Sequence, residues 1–524
     1  MIEAWSVAAV RAAEEPLLAA GAPLMERASF ALAVQVVRDL RARRRPVRGA
    51  RVVLLVGAGN NGGDALYAGG YLARRGCAVT AVLVDARAHP GGLSVMRAAG
   101  GRVVALGEEP AREEPGSDGL GPVAAQVAQA DVVIDGLVGI GARGPLRGTA
   151  ARLVDAVRTS SGASGRARPW VVAVDVPSGV GVDDGAVPGP VLPADRTVTF
   201  GAAKPGLLLP PAAHQAGSVA VVDIGLGLGL ELAGRPDVRR LEARDVAAAW
   251  PVPGPAAHKY TRGVVGVVAG TSTYPGAAVL ATSAAVHTGA GMVRYQGPPA
   301  VGDAVVAARP EVVTAAGRVQ AWALGSGVPA GPDVEQDGAD DGQRERIRAA
   351  LAAASGGEPV PAVVDAGALD LVEHPCPPWV VLTPHAGELS TLLRARGEDA
   401  ARPAVEAEPL RWARRAHELT GATVLLKGAV TVVVGPGVAF AQADAPAWLA
   451  TAGSGDVLAG VLASMLAARS EEVVAHPERA AEVAAASALV HGLAARRANP
   501  GGPVAALDVA AAVAGTVSAL LVPG

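Results

Sequence analysis

A chain of 524 residues, half of them hydrophobic and 18% charged, holds enough apolar surface for more than one packed core and excludes extensive disorder. Its net charge of −3, with no basic stripe interleaved with aromatics, excludes nucleic acid as an expected partner. Two cysteines far apart, Cys77 and Cys376, argue against a disulfide framework, and apolar stretches such as Val457 to Ala467 are shorter than the ~20 residues that span a bilayer, so a cytoplasmic, non-membrane protein is expected.

The elements alternate along the chain. Helix-like stretches at about Glu3 to Ala20 and Leu24 to Arg43 precede an apolar run, Arg51 to Val56, that ends in glycines and opens a helix. The arginine-rich run Arg38 to Arg48 reads as a solvated helix end, where cations meet the helix dipole. β-like runs follow at Ala78 to Val84, Arg102 to Ala105, Asp131 to Ile134, Trp170 to Val174 and Thr197 to Phe200. Unbroken apolar strands alternating with helices predict a parallel sheet covered on both faces. Glu108 to Asp118 and Ser160 to Pro169 read as surface loops. Glycines between Gly225 and Arg240 mark a boundary, giving domains at 1–225 and 241–524. The second half repeats the pattern, with β-like runs at Gly263 to Val268, Val319 to Leu324, Val363 to Asp365, Val380 to Thr383, Thr423 to Leu426 and Thr431 to Val434, and Ala-rich helices from Gly455 onward. The expected fold class is α/β, with two open α/β domains and ligands at the strand C-termini.

In the first half, Gly57 to Asp64 (GAGNNGGD) follows a strand and starts a helix, so backbone amides and the helix dipole favour a phosphate there. A plainer reading is a tight turn capped by Asp64. Asp135 and Asp175 each end a strand, and in a parallel sheet Asn61, Asp135 and Ser178 converge on one edge, placed to offer oxygen ligands to a hard monovalent cation. The motifs GAGNNGGD, IDGLVGIG, AVDVPSG and TFGAAKPGLL, in this order over about residues 1–225, resemble the NAD(P)H-hydrate epimerase family. That resemblance implies a Rossmann-like domain. It implies hydrate contacts at Asn60, Asn61, Gly62, Gly63 and Asp64, at Gly139, Ile140, Gly141, Ala142, Arg143, Gly144 and Pro145, and at Asp175, with K+ held by Asn61, Asp135 and Ser178. Asp175 is the expected base. Ala65 stands where the family more often has glycine or asparagine.

In the second half, Gly270 to Ala278 is a small-residue loop opening a helix, and His385 ends a strand without any metal-ligand spacing. Thr451-Ala452-Gly453-Ser454-Gly455-Asp456 then starts a helix whose first amides are placed to hold a phosphoryl group in flight while the Asp456 carboxylate takes a proton. Lys427 would supply an ammonium nearby. The markers HKY, RGVVGVVAG, PGAA, HTGAGMV, ARPEVV, TPHAGE, LLKGAVTVV and TAGSGDVLAG resemble the ADP-dependent NAD(P)H-hydrate dehydratases of the ribokinase-like superfamily over about residues 241–524. The resemblance implies hydrate contacts at Ala277, Gly327, His385 and Asp456, and ADP contacts at Lys427, Gly428, Ala429, Val430, Thr431 and Gly455. It departs from the family at Gly367, where a second aspartate is common, and at Ala386, where proline is.

Of the 46 basic residues only Lys204, Lys259 and Lys427 are lysines, and all three fall inside these motifs. The joint expectation is a bifunctional repair enzyme that epimerises R and S hydrates of NADH and NADPH (NADHX and NADPHX) and dehydrates the S hydrate with ADP, releasing AMP and phosphate. K+ would serve the first domain, Mg2+ would accompany ADP in the second, and a homo-oligomer is expected. A hydroxymethylpyrimidine or sugar kinase with a regulatory N-terminal domain, or a nucleotide-binding scaffold, is the alternative reading.

Overall fold

A computed structural model describes residues 1–106, 120–161, 168–331, 338–372 and 375–522. The loop expected at Glu108 to Asp118 and most of the one at Ser160 to Pro169 lie outside them. The chain divides into two compact units, Glu3–Asp237 on one hand and Met1–Ile2 with Val238–Gly524 on the other. The first extends beyond the expected residue 225, because the helix Gly227–Ala233 sends Leu230 into the same core as Val10 and Ala13.

Residues Ile2–Ala4 (β1) are a strand, not the start of a helix. The helix α1 (Val7–Ala19) begins where the Ser6 hydroxyl accepts from the Ala9 amide, and α2 (Leu24–Ala42) follows. The sheet of this unit joins β2 (Arg51–Val56), β3 (Ala78–Leu83), β4 (Arg102–Ala105), β5 (Val132–Gly136), β6 (Trp170–Val174), β7 (Arg196–Phe200) and β8 (Ser218–Val222). All pairings are parallel, in the order β4-β3-β2-β5-β6-β7-β8. The direction of winding reverses between β2 and β5, which opens a crevice at their C-terminal ends. Val, Leu and Ile fill β2 and β5 because both faces are covered; Leu54 and Ile134 enter one core and Leu55 and Val133 the other.

The second unit is built on β9 (Val238–Arg240), β10 (Val264–Val268), β11 (Met292–Tyr295), β12 (Ala321–Leu324), β13 (Ala362–Val364), β14 (Val380–Leu382), β15 (Thr423–Leu426), β16 (Thr431–Gly435) and β17 (Val438–Gln442). These run in the order β9-β17-β16-β15-β14-β13-β12-β10-β11. Strands β15, β16 and β17 form an antiparallel meander, and the other pairings are parallel. The reversal here lies between β10 and β12. Alanine-rich helices Pro275–Thr288, Ser454–Ala468 and Arg479–Ala498 pack against this sheet through small side chains. Among the described residues no single helix is long and apolar enough to cross a membrane. Helices α1 and α2, bent by 115° relative to each other, pass a length and composition test only as a pair, and both contribute side chains to the first core.

Candidate functional sites at the two switch points

In the first unit the crevice between β2 and β5 is a cleft of about 960 Å³. Its floor requires glycine: a Cβ on Gly57 would fall 1.8 Å from the Leu137 carbonyl oxygen, and one on Gly62 would fall 2.2 Å from that of Gly57. Gly59 precedes α3 (Asn60–Arg74) with no side-chain cap, so Asp64 is not the cap; it lies within the helix and lines the cleft. Gly57 to Asn61, Asp64, Leu137 to Ala142 and Asp175 form the walls together with Arg11, Glu14, Arg147, Arg152 and Lys204. Gly62 and Gly63 are not on these walls; Gly63 abuts the His89 ring. Arg143, Gly144 and Pro145 also stand outside the lining, and the guanidinium groups that reach it are those of Arg11, Arg147 and Arg152. Ala65 is fully buried where a Cβ on Gly136 would come within 2.7 Å of its own, so the position favours a small residue.

Asn61, Asp135 and Ser178 meet around one carbonyl. The Ser178 hydroxyl donates to Asp135 Oδ1 at 2.6 Å, the Ser178 amide donates to Asp135 Oδ2 at 2.9 Å, and Asn61 Nδ2 donates to the Val138 carbonyl oxygen at 3.0 Å. Burial pushes the Asp135 carboxyl up, against the hydrogen bonds from Ser178 and Leu137. The donor set is all oxygen: a carboxylate, a hydroxyl, an amide oxygen and a backbone carbonyl, which suits a hard cation.

Asp175 holds a left-handed backbone (φ +65°) at the end of β6. Lys204 Nζ, the Thr199 hydroxyl (2.9 Å) and the Phe200 amide (3.2 Å) all donate to its Oδ1. Lys204 is buried and also reaches the Thr199 hydroxyl and the Phe200 carbonyl, each at 3.0 Å. Oδ2 receives none of these bonds. Glu14, from α1, was not foreseen, because nothing in a helical stretch of sequence announces that it folds over a sheet edge. Its carboxyl is raised by burial and by Asp175, against Lys204 and Arg11.

In the second unit the strand ends of β10, β12, β13, β14 and β15 converge on the N-terminus of the helix Ser454–Ala468. Gly270 donates its amide to the Ser326 carbonyl at 2.7 Å, joining the two loops at the switch point. Ala277 and Gly327 adjoin: a Cβ on Gly327, whose φ is +67°, would sit 2.5 Å from that of Ala277. Buried Asp365, met in the sequence only as part of a motif, is the hub. Its Oδ1 accepts from Lys427 Nζ (2.7 Å) and the Thr383 hydroxyl (2.9 Å), and its Oδ2 accepts from the Ser326 hydroxyl (3.1 Å). Burial would raise its pKa, but Lys427 and these hydrogen bonds hold it below the ordinary carboxylate value. Lys427 also lies 3.7 Å from Glu388. A Cβ on Gly455 would be 3.4 Å from Lys427 Nζ, so the helix start, the lysine and Asp365 form one cluster.

Asp456 occupies the first turn of that helix, after Gly453 in the left-handed region (φ +85°). Burial and the Asp365 charge push its carboxyl up to about 6, against Lys427 and a hydrogen bond with Ser326. Gly428, Ala429 and Val430 make the turn between β15 and β16, and Thr431 starts β16. His385 caps the helix Ala386–Arg394: its Nδ1 accepts from the Gly387 and Glu388 amides, while the exposed ring leaves Nε2 3.6 Å from Glu388. Ala386 is the first residue of that helix, a position where proline is equally at home, which accounts for the exchange. Gly367 has no room for a side chain, since a Cβ there would fall 2.1 Å from the Val328 carbonyl oxygen. Lys204 is thus in a buried ion pair and Lys427 in a partly buried one, whereas Lys259 is exposed, 5.2 Å from the Tyr260 ring centroid.

Comparison with known proteins agrees with this division. A family model described as NAD(P)H-hydrate dehydratase matches residues 265–510, and one described as YjeF-related protein N-terminus matches residues 21–206. The bifunctional NAD(P)H-hydrate repair enzyme Nnr of Mycobacterium tuberculosis is 43% identical over 480 residues, covering 88% of this chain and 89% of that protein. An NAD(P)H-hydrate epimerase of Clavibacter michiganensis is 44% identical over 229 residues, covering 43% of this chain and 92% of its own. Among solved structures, an ADP/ATP-dependent NAD(P)H-hydrate dehydratase from Bacillus subtilis, co-crystallised with ATP and Mg2+, aligns with a TM-score of 0.44 at 23% identity, covering 54% of this chain and 99% of that one. With two family models in sequence along one chain and a full-length relative at this identity, the chain belongs to the bifunctional NAD(P)H-hydrate repair enzymes.

Proposed function

We infer that the N-terminal unit interconverts the R and S hydrates of NADH and NADPH, and that the C-terminal unit dehydrates the S hydrate at the expense of ADP. The observation that carries this reading is that each switch point holds an aspartate fixed by one of only three lysines, Asp175 by Lys204 and Asp365 by Lys427.

In the C-terminal unit, Asp456 takes the proton from the hydroxyl of the hydrate, and the oxygen then attacks the β-phosphorus of ADP, releasing AMP. Loss of phosphate, with loss of a proton from the neighbouring ring carbon, restores the double bond. The first-turn amides of Ser454, Gly455 and Asp456 and the Lys427 ammonium hold the charge of the phosphoryl group in transfer. Among the described residues no three His, Cys, Asp or Glu side chains gather as a metal cage. Magnesium would enter with ADP as the Mg·ADP complex and would neutralise phosphate charge during the transfer.

In the N-terminal unit, Asp175 acts as base through Oδ2 while Lys204 holds Oδ1. Asn61, Asp135, Ser178 and the Val138 carbonyl are the residues that would hold K+. A bound K+ would neutralise the buried Asp135 carboxylate and fix the loop after β5 against the substrate.

The test is direct. Chemically prepared hydrate mixed with the protein and Mg·ADP should regain the absorbance of reduced nicotinamide, with AMP and phosphate formed in equal amounts. Absence of that signal, alongside phosphorylation of a hydroxymethylpyrimidine or a sugar by ATP, would replace this reading with a kinase.

A further inference from the structure

The buried group in the N-terminal cleft that the mechanism above leaves unused is Asp64. Its carboxyl lines the cleft, the residue is only 9% exposed, and among the described residues no group hydrogen-bonds its Oδ1. Four carboxyls, Glu14, Asp64, Asp85 and Asp175, line this cleft with one ammonium, Lys204, and the guanidinium groups of Arg11, Arg147 and Arg152. That ammonium is already engaged by Asp175, Thr199 and the Phe200 carbonyl. A carboxylate so deep, with no donor on Oδ1 and with the charges of two other carboxyls near it, is strongly disfavoured relative to the neutral acid. Burial first, then the charges of Asp175 and Glu14, push the Asp64 pKa well above its ordinary value, against the pull of Lys204. The cleft therefore pairs a carboxyl that keeps its proton, Asp64, with one whose Oδ1 is held by an ammonium, a hydroxyl and an amide, Asp175, an arrangement that sets an acid beside a base.

We propose that Asp64 is the general acid of the epimerisation, passing its proton to the hydroxyl oxygen of the hydrate. The proposal rests on the reading of this cleft as the epimerase site. The hydroxyl-bearing carbon adjoins the ring nitrogen, so the protonated hydroxyl leaves as water: the C–O bond breaks and the nitrogen lone pair forms a C=N bond. The planar iminium cation lies beside the carboxylate that has just formed on Asp64. Water then adds to the opposite face, its lone pair making the new C–O bond as the C=N pair returns to nitrogen, and its extra proton goes to Asp175. Transfer of that proton from Asp175 back to Asp64 resets the site, and nothing is oxidised or reduced.

The experiment uses the full chain in K+ without ADP, so that only epimerisation proceeds, and follows R and S hydrates by chromatography with the spontaneous rate subtracted. Asp64→Asn keeps the shape of the neutral acid but has no acidic proton. It should lower kcat by at least about 100-fold with KM changed only a few-fold, and Asp64→Glu should restore part of the loss. The wild-type rate should fall about tenfold per pH unit above the Asp64 pKa, while the residual Asp64→Asn rate lacks that limb. If Asp175→Asn is inactive but Asp64→Asn runs within a few-fold of wild type, the proposal is overturned and the cleft reading stands. If both variants keep full activity, the cleft reading falls and the proposal with it. Should Asp64→Asn not fold, Asp64→Glu decides: partial activity with an alkaline limb displaced from that of wild type supports the proposal, and a profile identical to that of wild type overturns it.

Discussion

At Asp456 the same burial that makes the residue a useful base also limits the pH at which it works. With its carboxyl raised to about 6, protonation removes the base as the pH falls through that value, so dehydration should have an acid limb near pH 6, well above that of an ordinary aspartate. A kcat profile flat down to about pH 4.5 would show that another group takes the proton. Asp456→Asn should lower dehydration by at least about 100-fold while epimerisation continues, since Asn61, Asp135, Asp175 and Ser178 all lie in the other unit. Conversely, Asp135→Ala should remove epimerisation and its dependence on K+ and leave dehydration of S hydrate unchanged; equal loss of both activities in a folded variant contradicts the assignment. Residues inside glycine motifs at a strand end, such as Asp175, or at a helix start, such as Asp456, were legible in the sequence because their position at the edge of a parallel sheet follows from the alternation of elements. Glu14 and Ser326 were not, since each becomes part of a site only through a contact with residues far away in the chain.

The elements show the same division between local and non-local information. Strands β2, β4, β6 and β15 begin and end where their apolar runs do, because each is buried along almost its whole length or is bounded by glycine or proline. Strands β8, β11 and β17 are not legible in the sequence: β8 and β11 are edge strands, and a run such as VAFAQ has no period that separates strand from helix. The turn at Lys427 to Val430 was legible between its two apolar runs, but that it joins them as an antiparallel pair and aims the lysine at Asp365 follows from neither run. Helix packing was equally hidden. Gly460, inside the helix Ser454–Ala468, lies so close to the helix Pro275–Thr288 that a Cβ would fall 2.2 Å from the Ala281 carbonyl oxygen. Alanine has the better helix propensity by about 1 kcal/mol, yet here it forces the helices apart, so Gly460→Ala should destabilise the second unit by about 1–3 kcal/mol. An unchanged or raised Tm for this variant would show that the interface gives way freely.

For the molecule as a whole, two units with separate cores and separate clefts predict that a ligand for one leaves the stability of the other unchanged. Tryptophan reports on both, with Trp5 and Trp170 in the first unit and Trp250, Trp322, Trp379, Trp412 and Trp448 in the second. A ligand that binds only the folded state stabilises it by RT ln(1 + [L]/Kd), about 2.7 kcal/mol at a hundredfold excess over Kd. Mg·ADP should therefore raise the unfolding transition carried by the second unit and leave that of the first in place. The charge around Lys427 favours ADP over ATP in this respect. Asp365 at 2.7 Å, Glu388 at 3.7 Å and Asp456 already surround the one ammonium of the cluster, so a further phosphate adds negative charge with little left to balance it. At equal nucleotide concentration, the shift with Mg·ADP should exceed that with Mg·ATP. A larger shift with ATP would point to transfer of a γ-phosphoryl group and to a kinase, and an equal shift of both transitions with either nucleotide would mean that the two units do not bind and unfold independently.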